Sequence, residues 1–374
     1  MDNQDRPIGR PDFLLLFIAF FLVCFGLVMI FSASSALGLK DYGNPWHYVN
    51  RQVMFAGIGL IAMLVCMRIP FQTWKKFAPP MILTALLLLG LVLVIGNVAG
   101  GAKRWFAVGG FSFQPSEFAK ISIIVYLSAI ISKKGEKIRS FKRGLIPIFI
   151  VMGLVLGLVY KQPDYGTMLI LSAIAGSIIV VGGANFKHLF AIAAAIIPAF
   201  VILAVSSEYR MKRITSFLNP MEDLSDDGYQ LSQSLSALGH GGWTGTGLGQ
   251  SVQKLFYLPA AHTDFIFSVI AEEFGFLGST FFVLLFLLFI WRGFRAALSS
   301  QDSFGLLLGV GISSMFSIQF LMNIGAVTGS LPITGVTLPF ISYGGTSLIL
   351  SMASTGILLS ISRQATRKKQ ELKQ

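Results

Sequence analysis

Long apolar runs separated by short polar segments are the feature that most constrains this chain. A helix needs about 20 mainly apolar residues to cross the hydrocarbon core of a bilayer. Charged residues are only 12% of the 374 residues, and the mean hydropathy is +0.73. The sequence predicts an all-α polytopic membrane protein, with residues 1–374 forming a single integral membrane domain. About ten runs qualify as spans, at approximately 13–34, 52–69, 78–98, 114–132, 144–160, 165–184, 187–207, 264–291, 304–328 and 339–362.

The lysine and arginine residues predict the orientation of these spans. Cytoplasmic loops of membrane proteins carry an excess of both residue types. With the N-terminus inside, ten crossings return the C-terminus to the same side, and two basic clusters then lie in the cytoplasm. These are Lys133, Lys134, Lys137, Arg139, Lys142 and Arg143, and Arg363, Arg367, Lys368, Lys369 and Lys373. The net charge of +12 therefore records orientation, and nucleic-acid binding is not predicted.

A large external loop is predicted at 208–263, between spans seven and eight. A leucine spacing at 231, 235 and 238 predicts a short amphipathic helix within it. The glycine-rich segment 239–251 lacks the lysine and Ser/Thr ending of a P-loop, so nucleotide binding is not favoured. It indicates flexible turns or a backbone approach to a lipid pyrophosphate. The loop begins with three basic residues, Arg210, Lys212 and Arg213.

Ionisable side chains at or within the spans are candidate functional residues, because each costs free energy unless it is paired or hydrated. Glu117 and Lys120 lie three residues apart on one predicted helix. They either pair with each other as a structural ion pair or face a cavity together. Asp164, between spans five and six, either caps span six or reaches the external cavity.

Asp264 lies at the external mouth, where span eight is predicted to begin. A carboxylate there can contact both water and a lipid-borne substrate, although an aspartate at a helix start is also a common N-cap. On a helix continuing from Asp264, Glu272 lies about 80° round the axis and Glu273 about opposite. At most one glutamate therefore shares the Asp264 cavity, and the other is expected to pair with a neighbouring span.

Five runs together resemble the SEDS family (shape, elongation, division and sporulation). The likeness covers the whole chain in order, and it is closer to the FtsW/SpoVE branch than to RodA. One reason is that Thr337 precedes Leu338 where RodA-like sequences commonly have proline. The runs are RWFAVGGFSFQPSEFAK, KQPDYGT, YRMKRITSFLNP, GLGQSVQKLFYLPAAHTDFIFSVIAEEFG and PITGVTLPFISYGGTS.

The resemblance implies an inverting peptidoglycan glycosyltransferase. Such an enzyme polymerises lipid II into lipid-linked glycan at the outer face of the bacterial cytoplasmic membrane, during division or sporulation. Asp264 matches the catalytic aspartate of the family. The residues expected to support catalysis or bind substrate are Arg104, Trp105, Glu117, Lys120, Asp164, Arg210, Lys212, Arg213, Gln250, Ser251, His262, Glu272 and Glu273.

The implied chemistry needs a base and a way to neutralise the leaving group. Our hypothesis is that Asp264 removes the proton of the attacking sugar hydroxyl. Arg210, Lys212 or Arg213, or alternatively a divalent cation such as Mg²⁺ or Mn²⁺, neutralises the departing lipid pyrophosphate. Attack opposite the leaving group inverts the anomeric centre.

Two alternative functions stay open beside the glycosyltransferase. One is a lipid II flippase, which also needs many spans with charges near the midplane. The other is a scaffold of the division complex, a role that need not exclude catalysis.

The resemblance also implies partners. These are a class B penicillin-binding protein, which is a transpeptidase, and other division or sporulation membrane proteins.

Overall fold

The computed structural model describes residues 9–99, 102–108, 111–188, 226–255 and 257–371, together with residues 190, 191, 194 and 198. These parts contain ten α-helices. They are α1 (Phe13–Tyr42), α2 (His47–Arg68), α3 (Thr73–Ile95), α4 (Pro115–Lys134), α5 (Ile146–Tyr160), α6 (Tyr165–Val181), α7 (Asp226–Gly241), α8 (Ile266–Leu298), α9 (Ser303–Val327) and α10 (Gly345–Glu371).

The polytopic helical fold predicted from the apolar runs is confirmed. Eight helices of the described segments are long and apolar enough to cross a membrane, and α6 is a shorter apolar helix. They account for nine of the predicted spans, while the remaining one, 187–207, lies largely outside the described residues. The amphipathic helix predicted from the leucine spacing is α7. The total of ten crossings and the cytoplasmic position of both termini stay predictions.

A small antiparallel sheet lies between α3 and α4, where the sequence predicted no strands. Its order is β1 (Asn97–Ala99), β2 (Ala102–Val108) and β3 (Phe111–Phe113). Thr346, at the start of α10, donates to the carbonyl oxygen of Ser112 at 2.9 Å and so fixes β3 against that helix. The all-α prediction therefore missed this element.

The helices differ in how much of their surface faces the protein interior. In α4 and α9, 72% and 78% of the most apolar stretch is buried, whereas in α3 the share is 28%. The first two lie at the centre of the bundle, and α3 faces outward. Polar side chains on α4 and α9 are consequently surrounded by protein, where they need hydrogen-bond partners.

The helix α8 is interrupted at Gly275, whose φ of 67° and ψ of −167° are not helical. The loop 242–247 inserts at this break. The N–H of Phe276 donates to a loop carbonyl at 2.8 Å, and the carbonyls of Glu272 and Glu273 each accept a loop N–H at 3.0 Å. The loop backbone therefore supplies hydrogen-bond partners on both sides of the break.

Close backbone contact explains part of the glycine-rich segment. A Cβ atom on Gly245 would lie 2.1 Å from the carbonyl oxygen of Glu273, and one on Gly241 would lie 2.1 Å from that of Ala271. No side chain fits at either distance. Glycine is required at these two positions by the contact with α8, which the prediction of flexible turns did not include. The predicted approach to a lipid pyrophosphate stays a prediction.

Candidate active site

The turn 260–265, called the aspartate turn below, places Asp264 just before α8. Ala260 has a φ of 54°, and its carbonyl oxygen accepts from the N–H groups of Thr263 and Phe265 at 3.0 and 3.3 Å. The N-cap of α8 is Phe265, which makes no side-chain cap hydrogen bond. Asp264 therefore lies at the entrance to this helix as predicted, but the interpretation of Asp264 as its N-cap is wrong. The half-buried carboxylate of Asp264 is therefore not used to cap α8.

The aspartate turn packs against residues 332–344, the second part of the connection between α9 and α10. Ser342 donates to the carbonyl oxygen of Thr263 at 2.6 Å, and the N–H of Tyr343 donates to that of His262 at 2.9 Å. The predicted tenth span began near 339. The helix begins later because this segment is occupied by contacts with the aspartate turn.

Asn323, on the central helix α9, joins the same two segments. Its Nδ2 atom donates to the carbonyl oxygens of Asp264 and Val336, each at 2.8 Å, and the residue is 2% exposed. Asn323 was not among the residues predicted from the sequence. The available signal was an amide side chain within an apolar span, which needs a partner wherever it is buried.

Asp164 caps α6 and also influences Asp264. Its carboxylate accepts from the N–H of Thr167 at 3.1 Å and from the Thr167 hydroxyl at 2.9 Å, so the cap interpretation is confirmed. Burial is the larger cause that raises the pKa of Asp264 from 3.8 to about 6, and the negative charge of Asp164 is the second. The two carboxylates therefore belong to one electrostatic site.

The Asp264 carboxylate is suited to accept a proton. Among the described residues, none donates a hydrogen bond to it. Gly335 lies beside it, since a Cβ added there would be 3.6 Å from Oδ2. A carboxylate with a raised pKa and no donor of its own is a stronger base than a free aspartate, by roughly two orders of magnitude in proton affinity.

Arg104, on β2, positions the turn that leads into Asp164. Its Nε donates to the carbonyl oxygen of Gln162 at 2.8 Å, and its Nη2 donates to that of Pro163 at 2.5 Å. Trp105 is the next residue on the strand and therefore points to the opposite face of the sheet. The structure thus connects Arg104, and not Trp105, to the aspartate pair.

Glu117 and Lys120 pair with each other on α4. Their side chains are 2.8 Å apart, and Lys120 is 2% exposed. Of the two interpretations of this pair, the structural ion pair is the one observed. Removing the Glu117 carboxylate would leave the buried charge of Lys120 unpaired and would strongly destabilise the protein.

The two glutamates of α8 hold the loop that precedes the aspartate turn. Glu272 accepts from the Ser251 hydroxyl at 2.5 Å and from the N–H of Val252 at 3.1 Å. Glu273 accepts from Lys254 at 2.6 Å and from Ser32 of α1 at 2.5 Å. The predicted angles to Asp264 do not apply, because Asp264 lies outside the helix. The expected pairing with a neighbouring span is the contact with Ser32.

Gln250 and His262 differ in their surroundings. Gln250 is exposed, and its N–H closes a turn with the carbonyl oxygen of Gly247 at 3.1 Å. The His262 ring lies between two tyrosines, with centroids 4.9 Å from Tyr48 and 5.6 Å from Tyr343. Burial lowers the pKa of His262 to about 4, so this ring is neutral at pH 7 and supplies no charge to a pyrophosphate.

The basic residues predicted to neutralise the leaving group are not described by the structure, and the alternative was a divalent cation. Arg210, Lys212 and Arg213 lie outside the described residues. Within the described parts, no three His, Cys, Asp or Glu side chains come together as a metal site would require. The described residues therefore do not make up a protein cage of ligands for Mg²⁺ or Mn²⁺.

Comparison with known proteins places this arrangement in a family. Residues 12–367 match the FtsW/RodA/SpoVE family, described as "Cell cycle protein". Stage V sporulation protein E of Bacillus subtilis is 44% identical over 94% of this chain and 97% of its own length. The probable peptidoglycan glycosyltransferase FtsW of Geobacter sulfurreducens is 42% identical over 96% of both chains.

The fold is also found in a solved structure. It is described as "Structural coordination of polymerization and crosslinking by a peptidoglycan synthase complex", and the matching chain is 29% identical with a TM-score of 0.78. The match covers 95% of this chain and 98% of that one. This chain belongs to the FtsW/RodA/SpoVE family, and the predicted family resemblance is confirmed.

Proposed function

We propose that this protein is a peptidoglycan glycosyltransferase that polymerises lipid II at the outer face of the cytoplasmic membrane. Its membership of the FtsW/RodA/SpoVE family supports the activity. The observation that carries the mechanism is the Asp264 carboxylate, held at a helix entrance with a pKa raised to about 6. At pH 7 such a group is mostly ionised, and it binds a proton far better than an ordinary aspartate.

The reaction forms one glycosidic bond and breaks one bond to phosphate. The sugar 4-hydroxyl of an incoming lipid II attacks the anomeric carbon of the lipid-linked chain, and its proton passes to Asp264. The bonding electrons of the broken carbon–oxygen bond leave with the lipid pyrophosphate. Attack from the opposite side inverts the anomeric centre. One carboxylate suffices, because a pyrophosphate leaves without protonation by a second acid.

The other residues of the site position this base. Asn323 fixes the backbone at Asp264, and Arg104 fixes the turn before Asp164. Asp164 increases the proton affinity of Asp264 through its negative charge. Arg210, Lys212 and Arg213 remain our candidates for neutralising the pyrophosphate.

We propose a class B penicillin-binding protein as the partner that cross-links the product. The described segments are helices, a three-stranded sheet and short connections, and none forms a separate domain for peptide cross-linking. The similar solved structure is of a complex in which polymerization and crosslinking are coordinated. Pairing of the two activities in one assembly is therefore a reasonable expectation for this chain.

A flippase function has less support from the arrangement of charges. A path for a polar head group needs ionisable side chains that are open to it. The buried charges Lys120 and Lys254 each contact a glutamate, at 2.8 and 2.6 Å. The first pair lies within α4 and the second joins the loop before the aspartate turn to α8, so both lysines already have a partner, whereas Asp264 lies outside the helices.

Purified protein supplied with lipid II tests the enzyme against both alternatives. Wild-type protein should produce glycan polymer, and Asp264→Asn should produce almost none while still binding its partner. Asp302→Asn is the matched control, because Asp302 caps the far end of the bundle at α9. Equal amounts of polymer from Asp264→Asn and wild type would contradict the assignment of Asp264 as the base. Translocation of lipid II without any polymer would support a carrier instead, and growth of cells carrying Asp264→Asn would support a scaffold.

A further inference from the structure

A cavity of about 120 Å³ lies at the end of the molecule opposite Asp264. The helix α8 runs from the aspartate turn to this end, where its Arg292 pairs with Asp12 at 2.7 Å, beside the start of α1. Three chain segments line the cavity: the stretch before α1, the end of α2 with the residue after it, and a turn in the C-terminal half of α10. The lining residues used below are Gly9, Arg68, Pro70, Ser360, Arg363 and Gln364.

Side-chain hydrogen bonds hold the walls of this cavity in place. The Ser360 hydroxyl donates to the carbonyl oxygen of Ile69 at 2.7 Å. The Gln72 amide donates to the side-chain oxygen of Gln364 at 2.7 Å. Both bonds join α10 to the connection between α2 and α3, so the cavity is formed without a ligand.

Two arginines line this small cavity, and among the residues that the structure describes no acidic side chain does. In the described part of the chain, neither Arg68 nor Arg363 makes a hydrogen bond or ion pair. The described carboxylates near the cavity already have partners, because Asp12 binds Arg292 and caps α1, and Asp302 caps α9. Two guanidinium groups in one concavity repel each other unless an anion lies between them.

The outer surface next to Arg68 is apolar. On the preceding turns of α2, Ile61, Leu64 and Val65 are 65%, 39% and 50% exposed, as expected for side chains that face lipid. A ligand in the cavity would therefore have its charged group at the arginines and an apolar tail along α2. This is also the end whose basic residues predict a cytoplasmic position, and the cytoplasmic leaflet is rich in anionic lipids.

We propose that this cavity binds the phosphate group of an anionic phospholipid. The guanidinium groups of Arg68 and Arg363 contact the phosphate oxygens, and the exposed apolar residues of α2 contact the acyl chain. The proposal does not depend on the reaction at Asp264. It assigns a lipid site to the end of the molecule opposite the candidate active site.

Thermal unfolding of the full chain in a neutral detergent tests this site. Short-chain phosphatidylglycerol should raise the unfolding temperature with a saturable dose response, and phosphatidylcholine of the same chain length should not. The double variant Arg68→Gln/Arg363→Gln should weaken the apparent affinity about tenfold or more, because it removes the charge-assisted contacts. The control Arg10→Gln/Lys76→Gln removes the same charge from exposed positions at the same end and should bind like wild type.

Three further results decide the proposal. If inorganic phosphate at the same concentration and ionic strength protects as well as phosphatidylglycerol, the ligand is a free anion and the lipid assignment is overturned. Equal binding by both double variants would overturn the site itself. If the double variant does not fold, Arg363→Gln alone is measured, and it should still weaken binding several-fold while Lys76→Gln does not.

Discussion

The side chain of Asn323 donates a hydrogen bond to the backbone carbonyl of Asp264 at 2.8 Å and a second to that of Val336 at the same distance. Because α9 lies at the centre of the bundle, its Asn323 fixes the aspartate turn to a rigid element. The position of the proposed base therefore depends on a residue that never touches the substrate.

Asn323→Ala should reduce polymerisation by about 10- to 100-fold, because small displacements of a catalytic group have effects of this size. It should also lower the unfolding temperature, since it leaves two buried carbonyl groups without a donor, at a cost of about 1–3 kcal/mol each. The polymerisation rate per folded molecule is the measurement that isolates the positioning effect.

Gln319→Ala is the matched control for this variant. Gln319 is a buried amide one turn earlier on the same helix, and among the described residues it makes no hydrogen bond to the aspartate turn. Its removal should destabilise the fold without a comparable loss of rate. A similar loss of rate in both variants would mean that Asn323 acts through general stability alone.

The pH dependence of the reaction should have an acid limb near pH 6. Asp264 must be ionised to accept a proton, so kcat/KM should fall as the pH drops through its pKa of about 6. In Asp164→Asn the acid limb should move to lower pH, because the second cause of the raised pKa is lost. The limb should not return fully to 3.8, since burial is the larger cause and remains.

Asparagine is also a good N-cap, so Asp164→Asn removes the charge while its amide oxygen still accepts from the N–H of Thr167 and its amide nitrogen can donate to the Thr167 hydroxyl. An unchanged acid limb in this variant would show that Asp164 does not act on Asp264.

Asp264→Asn should make the folded protein more stable above pH 6. A carboxyl group whose folded-state pKa is raised opposes folding once it ionises, so wild-type protein loses stability as the pH rises from about 4 to about 6. The asparagine variant escapes this loss. Unfolding temperatures should therefore differ most above pH 6 and converge below pH 4, and a constant difference across this range would contradict the electrostatic cause.

Gly245→Ala should destabilise the protein far more than Gly249→Ala. Both glycines have a positive φ, of 83° and 81°, so both substitutions carry the same backbone strain of about 1–2 kcal/mol. Only the first adds a clash, because its Cβ would lie 2.1 Å from the carbonyl oxygen of Glu273, whereas nothing lies within 4 Å at Gly249. Unfolding temperatures of the two variants measure this difference, and equal values would show that the loop does not insert into α8.

The features that depend on local sequence could be predicted. Apolar runs of about 20 residues identified the membrane helices, and the spacing of leucines identified α7. The pairing of Glu117 with Lys120 was one of two expected outcomes, because residues three apart on a helix lie close together.

Features that depend on contacts distant in the chain could not be predicted in the same way. The break in α8 requires the loop 242–247 to supply hydrogen bonds to it. The residues near Gly275 in the sequence do not indicate that this loop is the partner. The same holds for Glu273, which contacts Ser32 at the other end of the chain. Asp264 was correctly placed at a helix entrance, but the tight turn at Ala260 that keeps it outside the helix has no strong local signal.

The break at Gly275 also sets the height of the site in the membrane. The 23 residues after it span about 35 Å at 1.5 Å per residue, which is enough to cross a hydrocarbon core of about 30 Å. The nine residues before it are therefore surplus to the crossing and carry the aspartate turn to the level of the lipid head groups. Under the proposed function, the lipid tail of the substrate stays dissolved in the bilayer while its sugar reaches Asp264, so successive additions need no extraction of the lipid from the membrane.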